Sequence, residues 1–183
     1  MTTTTELPQQ RDLTPAELEE FVCGLMARPE EWAHLVVHDP ERRRYELLLR
    51  DDRVAVWLIC WMDDQDTGFH DHDLSAGAVG VIAGTVREDR LVLGGGTASR
   101  TVAAGGTFTF AASDIHRVVH AGDGPAVTLH AYSPPLWRMG AYEIAETGEL
   151  RRHAVSYAEE LRPIAASAGP PPAQVTSVVT TAS

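Results

Sequence analysis

Two groups of residues in this chain have the types and spacing to do chemistry. His70 and His72 flank Asp71, and His116 follows after a glycine-rich hairpin region. Residues two apart on a strand share a face, and at roughly 3.3 Å rise per residue their Cβ atoms lie about 6.6 Å apart. That separation suits two neighbouring ligands of one metal ion. His116 closes a three-nitrogen face and leaves the far side open, the arrangement of metal sites that react rather than brace. His120, four residues on, competes for the third place if the strand is regular. The second group is Thr128, His130 and Tyr132, which fall on one strand face at alternate positions. A tyrosine hydroxyl, with an unperturbed pKa of about 10, is neutral at pH 7 and can donate a hydrogen bond while a histidine behind it fixes its direction.

The elements that must hold these residues are mostly strands. Thr14, Pro15 and Glu17 make a helix start with a capping box, and Leu18, Phe21, Val22 and Leu25 recur at helical spacing. Pro29 ends that helix and opens a second short one through Trp32 and Leu35. From Tyr45 onward, β-favouring runs span 45–49, 54–61, 78–85, 91–93, 107–110, 117–120 and 126–132, separated by Asp- and Gly-rich turns. Seven or more short strands predict an all-β sandwich or barrel with an N-terminal helical cap. Residues 1–12 read as a disordered tail, 13–164 as one domain and 165–183 as a flexible tail.

The 183 residues suffice for one well-buried core. A net charge of -11 argues against a nucleic-acid surface. Cys23 and Cys60 sit in apolar segments and read as buried thiols of a reducing compartment. Neither a signal segment nor an apolar run of membrane-spanning length is evident, so a cytoplasmic protein without membrane partners is expected. Oligomeric state stays open. His34, His38 and His153 lack metal-like spacing and read as surface residues.

The stretch from His70 to Gly84 has the spacing of the first cupin motif, with Gly77 where a ligating Glu usually stands. The segment Ala111-Ala112-Ser113-Asp114 departs from the second motif, so His116 rests mainly on His116-Arg117-Val118. Together with Trp61 nine residues before His70, His70-Asp71-His72-Asp73-Leu74-Ser75 and His130-Ala131-Tyr132-Ser133-Pro134-Pro135, these pieces make the chain resemble the cysteine dioxygenase family over roughly residues 43–157. The resemblance implies a cupin fold (a double-stranded β-helix or jelly-roll barrel) and Fe(II) held by His70, His72 and His116. It also implies that Thr128, His130 and Tyr132 form the family's relay beside the iron. Gly77 is similar to bacterial-type members and implies that Tyr132 carries no thioether crosslink.

By the same resemblance the activity is oxidation of a small thiol to its sulfinic acid with both atoms of O2. Three neutral ligands leave the ion its full double positive charge, which favours an anionic incoming group such as a thiolate. The family's substrate-carboxylate Arg aligns with Tyr45, with Arg43 and Arg44 just upstream. Tyr cannot make the bidentate pair that Arg makes with a carboxylate. Either a neighbouring Arg substitutes or the substrate is not cysteine. The expected substrate contacts are Tyr45, Arg44 and Trp61, with Trp57 a weaker candidate. A mercapto acid, a cysteamine-like amine and a thiohistidine betaine such as ergothioneine all remain open. So do a non-redox metal cupin using Zn or Mn in hydrolysis or isomerisation, and a small-molecule-binding cupin without turnover.

Overall fold

A computed structural model describes residues 11–145 and 149–156; nearly all of the expected N-terminal tail and all of the expected tail over 165–183 lie outside them. Helix α1, Pro15–Met26, starts as the sequence implies, with the Thr14 hydroxyl capping Glu17 N and the Glu17 carboxylate returning to Thr14 N. Leu18, Val22 and Leu25 are buried on one face. Cys23 is exposed, against expectation, because it follows Val22 by about 100° around the helix and turns away from the sheet. Cys60 is buried, and both thiols are free. Instead of one short second helix there are two 3-10 turns, Pro29–Glu31 and Ala33–Leu35. Between them Trp32 folds back, and its indole N–H satisfies the Leu25 carbonyl at the helix end at 3.0 Å.

Among the described residues eleven strands follow: β1 (Arg44–Arg50), β2 (Ala55–Trp61), β3 (Phe69–Asp71), β4 (Ala76–Ala83), β5 (Thr85–Leu91), β6 (Thr97–Ala103), β7 (Thr107–Phe110), β8 (His116–Ala121), β9 (Ala126–Ser133), β10 (Arg138–Ile144) and β11 (Leu150–Ser156). They form two antiparallel sheets, ordered β1-β2-β9-β4-β7 and β11-β10-β3-β8-β5-β6. The expected strand at 91–93 is only the last residue of β5 followed by a turn, with Val92 N bonded to Gly96 O. Strands β5 and β6 escape a hydropathy reading for different reasons. The first buries Glu88 and Asp89 through ion pairs, and the second is exposed along almost its whole length.

The core has two layers. Trp57, Ile59 and Trp61 of β2 point between the sheets with Val79, Val86, Phe108, Phe110, Val118 and Tyr132. Val56, Leu58 and Cys60 point the other way, under α1, beside Val127, Leu129 and Ala131 of β9. Every residue of β2 and β9 is therefore buried, which is why β2 reads as an unbroken apolar run rather than an alternating one. Leu18→Ala, in the seam between helix and sheet, is expected to lose about 2–5 kcal/mol, seen as a lower urea midpoint. Cys23→Ser should stay within about 0.5 kcal/mol.

Candidate metal centre

His70 lies on β3 directly opposite His116 on β8. His72 stands one residue beyond β3, where Asp73 takes a left-handed φ of 55° and Ser75 N closes a turn on the His72 carbonyl. The ring centroids are 4.7 Å apart for His70 and His72, 4.8 Å for His70 and His116, and 5.1 Å for His72 and His116. One ring nitrogen from each lies within 4.8 Å of the others, and all three side chains are buried. His70 Nδ1 faces the Gly68 carbonyl at 2.9 Å, and His116 Nδ1 faces a Glu88 carboxylate oxygen at 2.6 Å. Both partners only accept, so Nδ1 carries the proton in each ring and Nε2 offers its lone pair. His116 Nε2 and both nitrogens of His72 have no hydrogen-bond partner among the described residues. Buried polar atoms left so are costly, and a divalent metal ion between the rings would satisfy them. Burial first, then the neighbouring His116, pushes His70 down to about 3, and burial holds His72 well below its ordinary value. Both are uncharged at neutral pH, the form that ligates. The three histidines fit a metal ion.

His120 takes no part in the cluster. Its Nε2 bonds to Gly124 O at 2.7 Å, and its side chain is buried rather than at the surface. His34 is exposed, while His38 and His153 are half-buried, and none joins the three.

Gly77 pairs across the sheet with both Phe110 and Tyr132. A Cβ at this position would fall inside the Phe110 ring. That ring stacks on His72 at 4.5 Å and 22° and touches the flank of His116 at 4.5 Å. Phe110 thus fills the place from which a residue at 77 would reach the centre, and among the described residues no carboxylate enters the three-histidine group. Sequence reasoning missed Phe110 because its role depends on cross-strand register.

Asp71, between two of the histidines, is also held. It accepts both Nε and Nη2 of Arg152 at 2.7 and 2.9 Å, the Tyr142 hydroxyl at 2.6 Å and Asp73 N at 2.9 Å. Burial would raise its pKa, but these donors outweigh burial and hold it well below the usual carboxylate range. The guanidinium lies where a Cβ on Gly140 would be. The β10–β11 hairpin is thereby locked to the histidine-bearing turn, 81 residues upstream of Arg152.

The second group lies on β9 as the spacing implies. Trp61 Nε1 donates to Thr128 Oγ1 at 2.8 Å, Thr128 Oγ1 meets His130 Nε2 at 2.9 Å, and His130 Nδ1 meets the Tyr132 hydroxyl at 3.3 Å. An indole N–H only donates, so Thr128 Oγ1 accepts from Trp61, and the wholly buried hydroxyl's own hydrogen can go to His130 Nε2. In the tautomer that accepts it, His130 carries its proton on Nδ1, facing the tyrosine oxygen. Burial first, with the Arg43 guanidinium among the neighbours that disfavour a second charge, lowers His130 to about 3 and keeps it neutral.

A cavity over the triad is lined by Arg43, Trp57, Ile59, Thr67, Val118, Leu136 and Met139 together with the three histidines, His130 and Tyr132. Of the expected substrate contacts, Trp57 lines the cavity, and Tyr45, Arg44 and Trp61 do not. Arg44 is exposed, since alternation along β1 turns it outward opposite Cys60. Tyr45 packs edge-on against Trp57, at 6.1 Å between centroids, behind the cavity wall. Trp61 does not line the cavity and serves the β9 chain instead. The cation that does line it is Arg43, stacked 5.2 Å over the Trp61 ring and donating to the Asp66 carbonyl.

Comparison with known proteins agrees with this geometry. A sequence model for the family described as "Cysteine dioxygenase type I" matches residues 4–145. No curated protein matches the chain. Among solved structures, one from Thermus thermophilus is 19% identical with a TM-score of 0.51, covering 56% of this chain and 93% of its own. A cupin superfamily protein from Desulfitobacterium hafniense is 16% identical with a TM-score of 0.48, covering 69% and 94%. A Klebsiella pneumoniae protein with a double-stranded β-helix domain is 13% identical with a TM-score of 0.49, covering 66% and 91%. At 19% identity the likeness to the Thermus thermophilus structure speaks to fold alone. The architecture, two antiparallel sheets closed over the histidines, is the cupin fold.

Two outcomes follow for the metal-free protein. Unfolded histidines take up protons near pH 6.5, whereas His70 and His130 resist them down to about 3. The unfolded state binds more protons between those limits, so Tm should fall steadily as pH drops from about 6.5 toward 3. A flat profile there would contradict the burial of neutral rings. Gly77→Glu should be strongly destabilised by collision with Phe110, and adding Phe110→Ala should recover much of the loss in thermal melts.

Proposed function

The chain belongs to the cysteine dioxygenase type I family, and on that premise we propose that it is a non-haem Fe(II) thiol dioxygenase, oxidising a small thiol R–SH with O2 to the sulfinic acid R–SO2H. The observation that carries this reading is the set of three buried imidazoles, with ring nitrogens close enough to share one ion, beside the Thr128-His130-Tyr132 strand. His70, His72 and His116 would hold the iron, which supplies coordination for sulfur and oxygen and the electron transfer between them.

The rest is done by the chain's own groups. With His130 Nδ1–H directed at the tyrosine oxygen, Tyr132 keeps its own hydrogen to give to a group in the cavity. A Thr128 hydroxyl donating to His130 Nε2 would set that polarity from behind, with Trp61 holding the hydroxyl in place, so that the phenol is oriented before substrate arrives. Trp57, Ile59, Val118, Leu136 and Met139 exclude water around the reacting sulfur. Arg43 is the positively charged residue in the lining, and no Asp or Glu lines the cavity among the described residues. A carboxylate would find a partner there, and an ammonium would not. Such a wall favours a mercapto acid over a cysteamine-like amine or a betaine thiol, with Arg43 rather than Arg44 or Tyr45 meeting the carboxylate.

O2 uptake by anaerobically iron-loaded protein, offered a mercapto acid, cysteine, cysteamine and ergothioneine, tests the reading. Uptake with the acid, matched by sulfinate formed, is expected. No uptake with any thiol at full iron occupancy would return the protein to a non-redox metal cupin or a binding protein. Tyr132→Phe should lower kcat on the order of a hundredfold with metal content unchanged. Arg43→Met should raise KM for the acid about 10- to 100-fold and leave cysteamine unaffected.

A further inference from the structure

Three neutral ligands bring no charge to a divalent ion, and position 77 cannot supply one with Phe110 lying across it. One inward-facing carboxylate nevertheless stands behind the triad. Glu88 on β5 is 2% exposed, and its Oε1 accepts His116 Nδ1–H at 2.6 Å. Its Oε2 accepts Arg100 Nε at 2.6 Å, and Arg90 Nη2 reaches Oε1 at 3.2 Å. Both arginines also bond to Thr109 O at 3.0 Å, beside Phe110. The three ligand rings are thus backed unequally. His70 leans on a neutral carbonyl, His72 is stacked on a phenyl ring, and His116 alone is backed by a carboxylate.

We propose that Glu88 is a positioning residue of the metal centre, holding His116 in the tautomer that presents Nε2 and delivering through that ring the negative charge that the ligand set itself lacks. A carboxylate behind an imidazole raises the basicity of its far nitrogen and fixes the ring plane. A stronger donor tightens the metal and stabilises its oxidised state, lowering the reduction potential. Arg100 and Arg90 set how much of the carboxylate's charge reaches the ring. Removing a cation from Glu88 should therefore act opposite to removing Glu88's own charge.

The test needs no thiol and no turnover, so its result is separate from that of the dioxygenase reading. Glu88→Gln and Arg100→Met are loaded with Co(II) against a competing chelator, and the Fe(III)/Fe(II) midpoint is measured on the iron-loaded forms. Glu88→Gln is expected to bind Co(II) about 10- to 100-fold more weakly and to shift the midpoint upward. Arg100→Met, altering a side chain already 43% exposed, should shift the midpoint downward. A folded Glu88→Gln with affinity and midpoint unchanged would overturn the proposal, as would a shift of the same sign in both variants. Should Glu88→Gln fail to fold, Arg100→Met decides alone. A downward shift supports the proposal, and no shift or an upward one overturns it.

Discussion

The architecture turns on keeping three imidazole rings buried and within touching distance, each with one nitrogen near those of the other two. Rings so placed have little contact with solvent. Their outer nitrogens must be satisfied by the protein or left at a cost. The Gly68 carbonyl and the Glu88 carboxylate meet two of the three. Phe110 seals the face that a ligating side chain would otherwise occupy. The same exclusion of water keeps His130 neutral and so lets it act as a directed hydrogen-bond donor.

What the sequence disclosed was whatever depends on neighbours along the chain. The alternation of His70 with His72, and of Thr128 with His130 and Tyr132, survives folding because extended backbone imposes it over a few residues. The capping box at Thr14 is legible for the same reason. Partners brought in by strand register were not. Glu88 reaches His116 from 28 residues away, Arg152 reaches Asp71 from 81, and Phe110 covers Gly77 across a strand pair. A run of charges inside a β-favouring region, Arg87-Glu88-Asp89-Arg90, was the one visible hint that buried ion pairs were needed. The choice among Arg43, Arg44 and Tyr45 stayed open in the sequence, because which of them lines the cavity depends on where β1 begins to pair.

The two halves of the site are held by different means. The tyrosine side is carried by β9, enclosed between β2 and β4 and covered by α1. The histidine side depends on β3, a strand of three residues whose geometry is completed by side chains: Asp71 clamped by Arg152 and Tyr142, and Asp73 paired with Arg138. Ion pairs here do what a longer backbone ladder does elsewhere.

That β2 and β9 are packed on both faces constrains how this barrel can diversify. A bulkier or smaller residue on either strand disturbs helix and cavity at once, so the phenol and its supports are effectively frozen. Leu136, on the link from β9 to β10, and Met139, on β10, also line the cavity, beside exposed Trp137. Change would find its latitude at these two positions, reshaping the cavity wall while both side-chain groups of the site are inherited intact.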